Sequence, residues 1–490
     1  MLRLARWLTR VPVMPVMRQV SQITITSPDQ GVKHVRKWIH TMMSAPTRSH
    51  DAVATAVSAK LHPDCRQGLA DDFTSWASEN RHVTYATQTR APDNTNWHTH
   101  KPDASWHDIM TWDGRGRRAA KRPAEQMADK PDSSPKTGLA EVIAELARSK
   151  ADLLCIEKSY GDYRELLADP QVRVVHNCTP NHLHYQVNKD ILAAGKHVIS
   201  EKPLAMNSDE SRELVQLASD SGLIHAVDFN YRYYPLVQHA RQMVQQGELG
   251  EVFTLRGSYL QDWLYLQTDW NWRLQPEMSG DSRAVADVGS HWCDLLQFIT
   301  GESIVRVMAD LRTVHKTRMK PKKQIETYAG KELSPSDYEP QDINTEDYAS
   351  VLIELSGGAR GVFSVSQVSA GRKNRLSFEL DGSRCALAWD QEKPNDMWIG
   401  YREKANEILV KDPSLLHDAA KEYAHYPGGH PEAYPDGPKN LFRNVYRAVE
   451  KGQMPDNPDW STFVDGHKEM AICDAIIQSS REQKWTDVQY

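Results

Sequence analysis

One stretch of this chain repeats the order strand, helix, strand. The apolar, β-branched run at residues 172–178 predicts a buried parallel strand. An amphipathic helix is predicted over 181–194, and HVIS at 197–200 predicts a second strand. Another helix, predicted over 208–221, leads to a third strand at 224–229. Because a right-handed crossover between such strands makes them parallel, the order predicts an α/β domain built on a parallel sheet.

Polar residues follow each of the three predicted strands. The carboxyl edge of an open α/β sheet is where ligands bind, so three polar clusters at consecutive strand ends predict a ligand site. Lys202 stands between a strand end and a proline that restricts the backbone, which indicates a positioned amine. The three clusters are Thr179-Pro180-Asn181, Glu201-Lys202-Pro203 and Asn230-Tyr231-Arg232.

A second group of chemically capable residues lies about 85 positions further on. Asp287 and His291 are four residues apart and Asp294 is three beyond, which predicts that all three share one helical face. A histidine with a near-neutral pKa suits removal of an alcohol proton, and a nearby carboxylate can orient it. A lysine ammonium can stabilise the developing alkoxide. The pattern therefore predicts proton transfer by His291, although a buried histidine that caps a helix fits the same spacing.

Four motifs, in order along the chain, resemble the glucose–fructose oxidoreductase/inositol dehydrogenase (Gfo/Idh/MocA) family from about residue 155 to 490. The resemblance implies an N-terminal Rossmann domain followed by an α/β domain with a large, mostly antiparallel sheet. It also implies NAD(P)-dependent oxidation of sugars or polyols. The motifs are CTPNHLH (178–184), AGKHVISEKPLA (194–205), FNYRYYP (229–235) and ADVGSHWCDL (286–295).

The resemblance also assigns roles to individual residues. Lys202, Asp287 and His291 match the family's catalytic lysine, aspartate and histidine, and no metal is implied. Trp272 and Arg273 match a pair that often lies near the nicotinamide or the substrate, although core packing explains these aromatics equally well. The residues predicted to bind NAD or NADP are Thr179, Pro180, Asn181, His184, Glu201, Lys202, Asn230, Trp272 and Arg273. Those predicted to bind substrate are Lys202, Arg232, Asp287, His291 and His430, the last in a Gly/Pro-rich loop.

The N-terminal part departs from the family pattern. Residues 1–150 hold 22 Lys+Arg and 15 Asp+Glu, although the whole chain carries a net charge of −6. The segment 114–119 formally fits a G-x-G-x-x-A phosphate-binding turn, but no apolar strand precedes it and Pro123 interrupts the helix that should follow. We therefore expect residues 1–137 not to derive from the family's first βαβ unit, through replacement, extension or a reading-frame error. Residues 138–150 are predicted to form a helix.

These features predict three regions. Residues 1–137 form an atypical basic segment, residues 138–228 a partial Rossmann-like domain, and residues 229–490 the substrate-binding and oligomerisation domain. In the last region, alternating apolar and polar runs predict hairpin-connected antiparallel strands with one buried face. Such a sheet can pair two subunits, so a homo-oligomer, a dimer or tetramer, is expected.

Composition narrows the classes of function. No run of 18 apolar residues occurs, so no membrane helix is predicted, and no nucleic-acid-binding motif accompanies the basic run. Six cysteines without a CxxC pattern favour reduced thiols in the cytoplasm. The preferred interpretation is an NAD(P)-dependent oxidoreductase of sugar or polyol hydroxyls. Two alternatives are an NAD-dependent glycoside hydrolase that oxidises its substrate transiently, and an inactive or cofactor-free binding relative without a recognisable glycine-rich loop.

Overall fold

The computed structural model describes residues 85–86, 138–140, 144–322 and 335–490. For residues 85–86 and 138 it describes the strand alone. The possible phosphate-binding turn at 114–119 and almost all of the basic segment lie outside this description.

The N-terminal part is a parallel sheet. Its strands, numbered in chain order, are β1 (Tyr85–Ala86), β2 (Gly138–Ala140), β3 (Lys158–Tyr160), β4 (Val174–Asn177), β5 (His197–Ser200) and β6 (His225–Val227). They lie in the order β3-β2-β1-β4-β5-β6, and each neighbouring pair is parallel. This is the strand order of a Rossmann fold. The predicted α/β domain is therefore confirmed, and a two-residue strand from the basic segment lies at its centre.

Helices connect these strands. They are α1 (Ala144–Leu153), α2 (Tyr163–Ala168), α3 (Asn181–Ala193) and α4 (Ser208–Ser221). The helix predicted over 208–221 is confirmed: the Asn207 side chain accepts a hydrogen bond from the amide of Glu210, and Gly222 ends the helix with φ of +62°. The helix predicted over 138–150 is wrong at its start, because Leu139 lies in β2, buried between β1 and β3.

The C-terminal part contains a large mixed sheet. Its strands are β7 (Val252–Leu260), β8 (Ile304–Arg312), β11 (Tyr348–Leu355), β12 (Arg360–Ser366), β13 (Arg375–Gly382), β14 (Ala386–Asp390), β15 (Asp396–Gly400), β16 (Glu407–Val410) and β17 (Thr486–Asp487), while β9 (Thr317–Pro321) pairs with β10 (Tyr338–Asp342) as a separate hairpin. Within the described part, the order is β16-β15-β14-β13-β7-β12-β11-β8-β17. Only β7 and β12 run parallel among these neighbours. The predicted, mostly antiparallel sheet is confirmed.

The described helices after β6 are α5 (Pro235–Gln245), α6 (Pro276–Ser279), α7 (Ser290–Thr300), α8 (Asp418–Lys421), α9 (Asp436–Lys451) and α10 (Phe463–Glu482). Of these, α5, α7 and α10 pack on the large sheet, whereas α9 packs on the parallel sheet. Trp292 of α7 stacks on Phe363, with ring centroids 4.4 Å apart, and its indole donates to the carbonyl of Ser377. A β-carbon on Gly257 would lie 2.3 Å from that indole nitrogen, so the absence of a side chain there lets α7 approach the sheet.

The end of the chain joins the two parts. Helix α10 begins with a capping box in which Thr462 and Asp465 satisfy each other's backbone amides. Just before it, the carbonyl of Ser461 accepts a hydrogen bond from the amide of Val227 in β6. The helix then packs on α4 of the first part and on β8 of the second. In the part of the chain that the structure describes, no helix has the length and apolar character needed to cross a membrane.

Candidate active site

Lys202 meets Asp287 at the carboxyl edge of the parallel sheet. Lys202 follows β5, and Asp287 lies in a turn of π-helix at Val285–Gly289, just before α7. The Lys202 Nζ donates to the Asp287 Oδ1 at 2.9 Å and to the Asp287 backbone carbonyl at 2.7 Å. Their side chains are 13% and 15% exposed, so the pair is mostly shielded from water. The structure thus joins two residues that are 85 positions apart in the sequence.

The Asp287 carboxylate accepts two further hydrogen bonds. The Arg273 Nε lies 3.2 Å from its Oδ1, and the Gln367 Nε2 lies 2.8 Å from its Oδ2. Burial raises the pKa of Asp287, but the charges of Lys202 and Arg273 outweigh burial and hold this pKa well below its usual range. Asp287 is therefore ionised at neutral pH and acts only as an acceptor.

The His291 ring is held by aromatic edges. It lies in the first turn of α7, with the Phe229 centroid 5.4 Å away and the Tyr231 centroid 5.0 Å away, both nearly perpendicular to it. The Tyr231 hydroxyl is itself 2.7 Å from the Tyr259 hydroxyl and accepts from the Asn374 Nδ2 at 2.8 Å. His291 is close enough to Asp287 for its charge to lower the pKa of that carboxyl. The predicted catalytic residues Lys202, Asp287 and His291 thus form one group.

Asp294 and Arg232 form a separate pair. The Arg232 Nε donates to the Asp294 Oδ2 at 2.8 Å, and the Arg232 Nη2 lies 3.3 Å from the Asp465 Oδ1. Both members of the pair are buried. The sequence predicts one face for Asp287, His291 and Asp294, but the described hydrogen bonds of Asp294 lead to Arg232 and Ser461, whereas Asp287 bonds to Lys202. The guanidinium of Arg232, predicted to contact substrate, is instead occupied by this buried ion pair.

Residues at the start of α3 shape the edge of the sheet. The Thr179 hydroxyl donates to the Asn177 Oδ1 at 2.7 Å, and the Asn181 amide donates to the carbonyl of Ser279 at 3.3 Å. His184 is buried, and its two ring nitrogens lie 2.6 Å from the carbonyls of Thr179 and Pro203. His184 therefore ties the turn after β4 to the turn after β5. Pro180 is the N-cap of α3 and provides no side-chain cap.

A carboxyl pair lies at the ends of β5 and β6. The side chains of Glu201 and Asp228 are hydrogen-bonded to each other, and burial followed by the charge of Glu201 raises the pKa of Asp228 well above its usual range. The Asn230 Nδ2 donates to the Asp228 Oδ1 at 3.3 Å. The Asn230 Oδ1 is buried and has no hydrogen-bond partner among the described residues. An unused buried acceptor beside Asp228 fits an amide N–H donor such as that of nicotinamide.

The remaining predicted residues divide into two groups. Trp272 and Arg273 lie in a short 3₁₀ turn capped by Asn271, and the Arg273 guanidinium carbon lies 4.5 Å from the centroid of a Trp272 ring. This turn brings Arg273 to Asp287. His430 is exposed, its carbonyl accepts from the Lys411 Nζ at 2.8 Å, and none of its described contacts involves the catalytic group.

Sequence reasoning missed Asp228 and Gln367. Gln367 continues the inward-facing positions Phe363 and Val365 of β12, and all three are buried. The sequence signal that could have revealed Gln367 is a polar residue on the buried side of a strand with alternating apolar positions. Asp228 occupies a comparable position directly after β6. Among the described residues, no group of three His, Cys, Asp or Glu side chains could hold a metal ion.

Comparisons with known proteins agree with this two-part architecture. Residues 114–229 match the model described as "Oxidoreductase family, NAD-binding Rossmann fold", and residues 237–388 match the "GFO/IDH/MocA C-terminal domain". The two matches together cover more than half of the chain. The first begins at Gly114, before residue 155, where the sequence resemblance starts.

Relatives cover most of the described chain. Levoglucosan dehydrogenase of Pseudarthrobacter phenanthrenivorans is 27% identical over 358 residues, which is 71% of this chain and 88% of that protein. A structure of levoglucosan dehydrogenase with NADH and levoglucosan is 27% identical, with a TM-score of 0.64 over 72% of this chain and 90% of that one. An oxidoreductase domain protein from Kribbella flavida is 30% identical, with a TM-score of 0.65 over 72% and 90%.

The fold defines a Rossmann-type oxidoreductase, and its second domain contributes Asp287 to the candidate site. The chain belongs to the Gfo/Idh/MocA family, and it is an NAD-dependent oxidoreductase of that family.

Proposed function

We propose that this protein is a dehydrogenase that transfers a hydride between a sugar or polyol hydroxyl and NAD or NADP. The observation that carries the proposal is the Lys202–Asp287 pair beside His291, at the carboxyl edge of the parallel sheet. The similarity to levoglucosan dehydrogenase supports a sugar as the substrate class.

The residues at the sheet edge fit a nicotinamide dinucleotide. Thr179, Pro180, Asn181 and Glu201 would line its binding site, and the buried Asn230 Oδ1 would accept from its carboxamide. When bound, the dinucleotide supplies the hydride acceptor. The raised pKa of Asp228 favours its protonated form, which lowers the negative charge of this edge near a bound dinucleotide.

The remaining chemistry is proton transfer and charge stabilisation by this chain. Asp287 accepts two of the three N–H groups of Lys202, which leaves the third for the substrate oxygen. That N–H stabilises alkoxide character while His291 removes the hydroxyl proton. The edges of Phe229 and Tyr231 hold the imidazole in place and keep water from one side of it. Ionised Asp287 pairs with the Lys202 ammonium and orients it.

Cofactor binding tests the first step of this proposal. We expect the purified full-length protein, titrated with NADH and NADPH, to enhance nicotinamide fluorescence with at least one of them at micromolar concentrations. A chain that enhances neither signal would be the cofactor-free binding relative, and the proposed function would then be wrong. Asn230→Leu should weaken binding by about 10-fold, the size of one lost hydrogen bond of about 1 kcal/mol or slightly more.

We also propose that the uncovered face of the large sheet pairs two copies of this chain. Met308, Leu352 and Val362 are directly adjacent across β8, β11 and β12 and are 37%, 44% and 41% exposed. A contiguous apolar row on one sheet face can pair with the same row of a second copy around a two-fold axis.

Light scattering coupled to size exclusion tests this interface. We expect the native chain to elute as a dimer or tetramer and Leu352→Glu to dissociate it, because a buried carboxylate on each side would lack a partner. Leu415→Glu is the control, since Leu415 is an exposed leucine outside the sheet. A native chain that is monomeric at assay concentrations would contradict the proposal.

A further inference from the structure

Another buried carboxylate, Asp347, is linked to the proposed catalytic group by hydrogen bonds. Its Oδ1 accepts from the Arg283 Nη2 at 2.6 Å and from the Arg318 Nη2 at 2.7 Å. Its Oδ2 accepts from the backbone amides of Val314 and His315. All three charged side chains are fully buried. Burial raises the pKa of Asp347, but the two guanidinium groups lower it overall, so the carboxylate is ionised.

Two chains of hydrogen bonds, here called arms, lead from Asp347 toward the active site. The first passes through Arg283 and Gln367. The Arg283 Nη1 donates to the Gln367 Oε1 at 2.8 Å, and the Gln367 Nε2 donates to the Asp287 Oδ2 at 2.8 Å. A guanidinium only donates and a carboxylate only accepts, so the Gln367 amide has one orientation that satisfies both. Arg283 therefore determines which end of the amide faces Asp287.

The other arm holds the segment that carries Arg273. The Arg318 guanidinium donates to the carbonyls of Leu264 and Leu266, both at 2.9 Å. That segment leads into the turn from which the Arg273 Nε reaches the Asp287 Oδ1 at 3.2 Å. The two arms thus end on different oxygens of one carboxylate. Lys202 donates a hydrogen bond to the Oδ1 of Asp287, and Gln367 is the described donor to its Oδ2.

We infer that Gln367 is a positioning residue for the catalytic group, and that Arg283 and Asp347 set its direction. Gln367 occupies the Oδ2 of Asp287 with a donor, which disfavours protonation of that oxygen and rotation of the carboxylate away from Lys202. Without this donor, a shielded carboxylate oxygen would lack its partner. The inference rests on the proposed function only where turnover is the readout.

The pH dependence of two variants tests this role. Gln367→Met removes the donor with little change in volume, and we expect kcat to fall about 10-fold or more. The acid limb of the kcat/KM profile should not move in this variant, because Lys202 and Arg273 still hold the pKa of Asp287 below its usual range. Gln367→Glu should move that limb upward by about one pH unit or more, since two adjacent carboxylates share a proton. NADH affinity should stay within about 2-fold of native, since no contact of Gln367 lies on the proposed dinucleotide edge.

Gln238→Met is the matched control. Gln238 is another buried glutamine, and its amide donates to the carbonyl of Arg232 at 2.8 Å, away from Asp287. We expect this variant to lose stability without moving the acid limb. An unchanged acid limb in Gln367→Glu would overturn the inference, even if its activity fell, because a purely structural role would have that outcome.

A second readout separates this inference from the proposed function. A carboxyl with a depressed folded pKa contributes stability above its unfolded pKa and loses it as pH falls through the folded value. In Gln367→Met the folded pKa of Asp287 is less depressed, so Asp287 contributes less stability at neutral pH, and the loss of Tm relative to the native chain should shrink as pH falls below the unfolded pKa. Gln238→Met should lower the Tm equally across this range. If native protein reduces no NAD or NADP, the proposed function fails, and this unfolding experiment still decides the role of Gln367.

Discussion

Replacement of Lys202 by methionine is expected to lower kcat by about 10²-fold or more. Methionine retains a long unbranched side chain but lacks the N–H that would stabilise alkoxide character on the substrate oxygen. It also leaves Asp287 without the ammonium that lies 2.9 Å from its Oδ1. His291→Asn should have a loss of similar size, because asparagine cannot remove the hydroxyl proton. Steady-state turnover with saturating cofactor measures both effects.

Lys189→Met is the control for this pair of variants. Lys189 lies on α3, and its ammonium pairs with Glu213 of helix α4 instead of contacting the candidate site. Its loss should leave kcat within about 2-fold of native, since exposed ion pairs contribute little. Near-normal turnover in both Lys202→Met and His291→Asn would exclude the assigned roles.

The largest expected loss of stability follows from Asp347→Asn. This change removes the only carboxylate that neutralises Arg283 and Arg318 among their described contacts. Removing one partner from a buried charge network typically costs about 3–5 kcal/mol, because the remaining charges stay away from water. We therefore expect the free energy of unfolding in urea to fall by about this amount.

Glu422→Gln provides the comparison for the unfolding experiment. Glu422 pairs with Arg447 at 2.7 Å, but both side chains are at least half exposed, so we expect a much smaller effect. The stabilisation by Asp347 should also depend on pH in the native chain. Its depressed pKa means that this stabilisation is present above the unfolded pKa and is lost as the solution becomes more acidic. Equal losses in Asp347→Asn and Glu422→Gln would contradict the role of Asp347 as the centre of this network.

The predictable parts of the fold are those set by local sequence patterns. Strands β4 to β6 and the helices between them follow from hydrophobic periodicity and capping residues. Lys202 could be placed at a ligand edge because parallel strands bring their carboxyl ends together. The strand at Gly138–Ala140 could not be predicted, since three residues carry little pattern and their partners lie at Tyr85–Ala86 and Lys158–Tyr160.

Parts of the site depend on contacts that no local pattern encodes. Helical spacing predicts that Asp287 and His291 lie near each other, as they do, but the pairing of Asp294 with Arg232, 62 residues earlier, depends on tertiary packing. Gln367 reaches Asp287 from 80 residues away, through the inward register of a strand in the second domain. The family resemblance pointed to the three residues proposed as catalytic, whereas the network of hydrogen bonds around them required the three-dimensional structure.

The most direct test of the account is the stoichiometry of cofactor reduction. Purified protein is incubated with levoglucosan and a panel of other sugars and polyols, with NAD and NADP in separate reactions, while absorbance at the reduced nicotinamide band and free sugar are both measured. We predict one reduced cofactor for each oxidised substrate, at a rate lower by about 10²-fold or more in Lys202→Met. Release of free sugar from a glycoside without net cofactor reduction would contradict the account and identify a hydrolase that oxidises its substrate transiently.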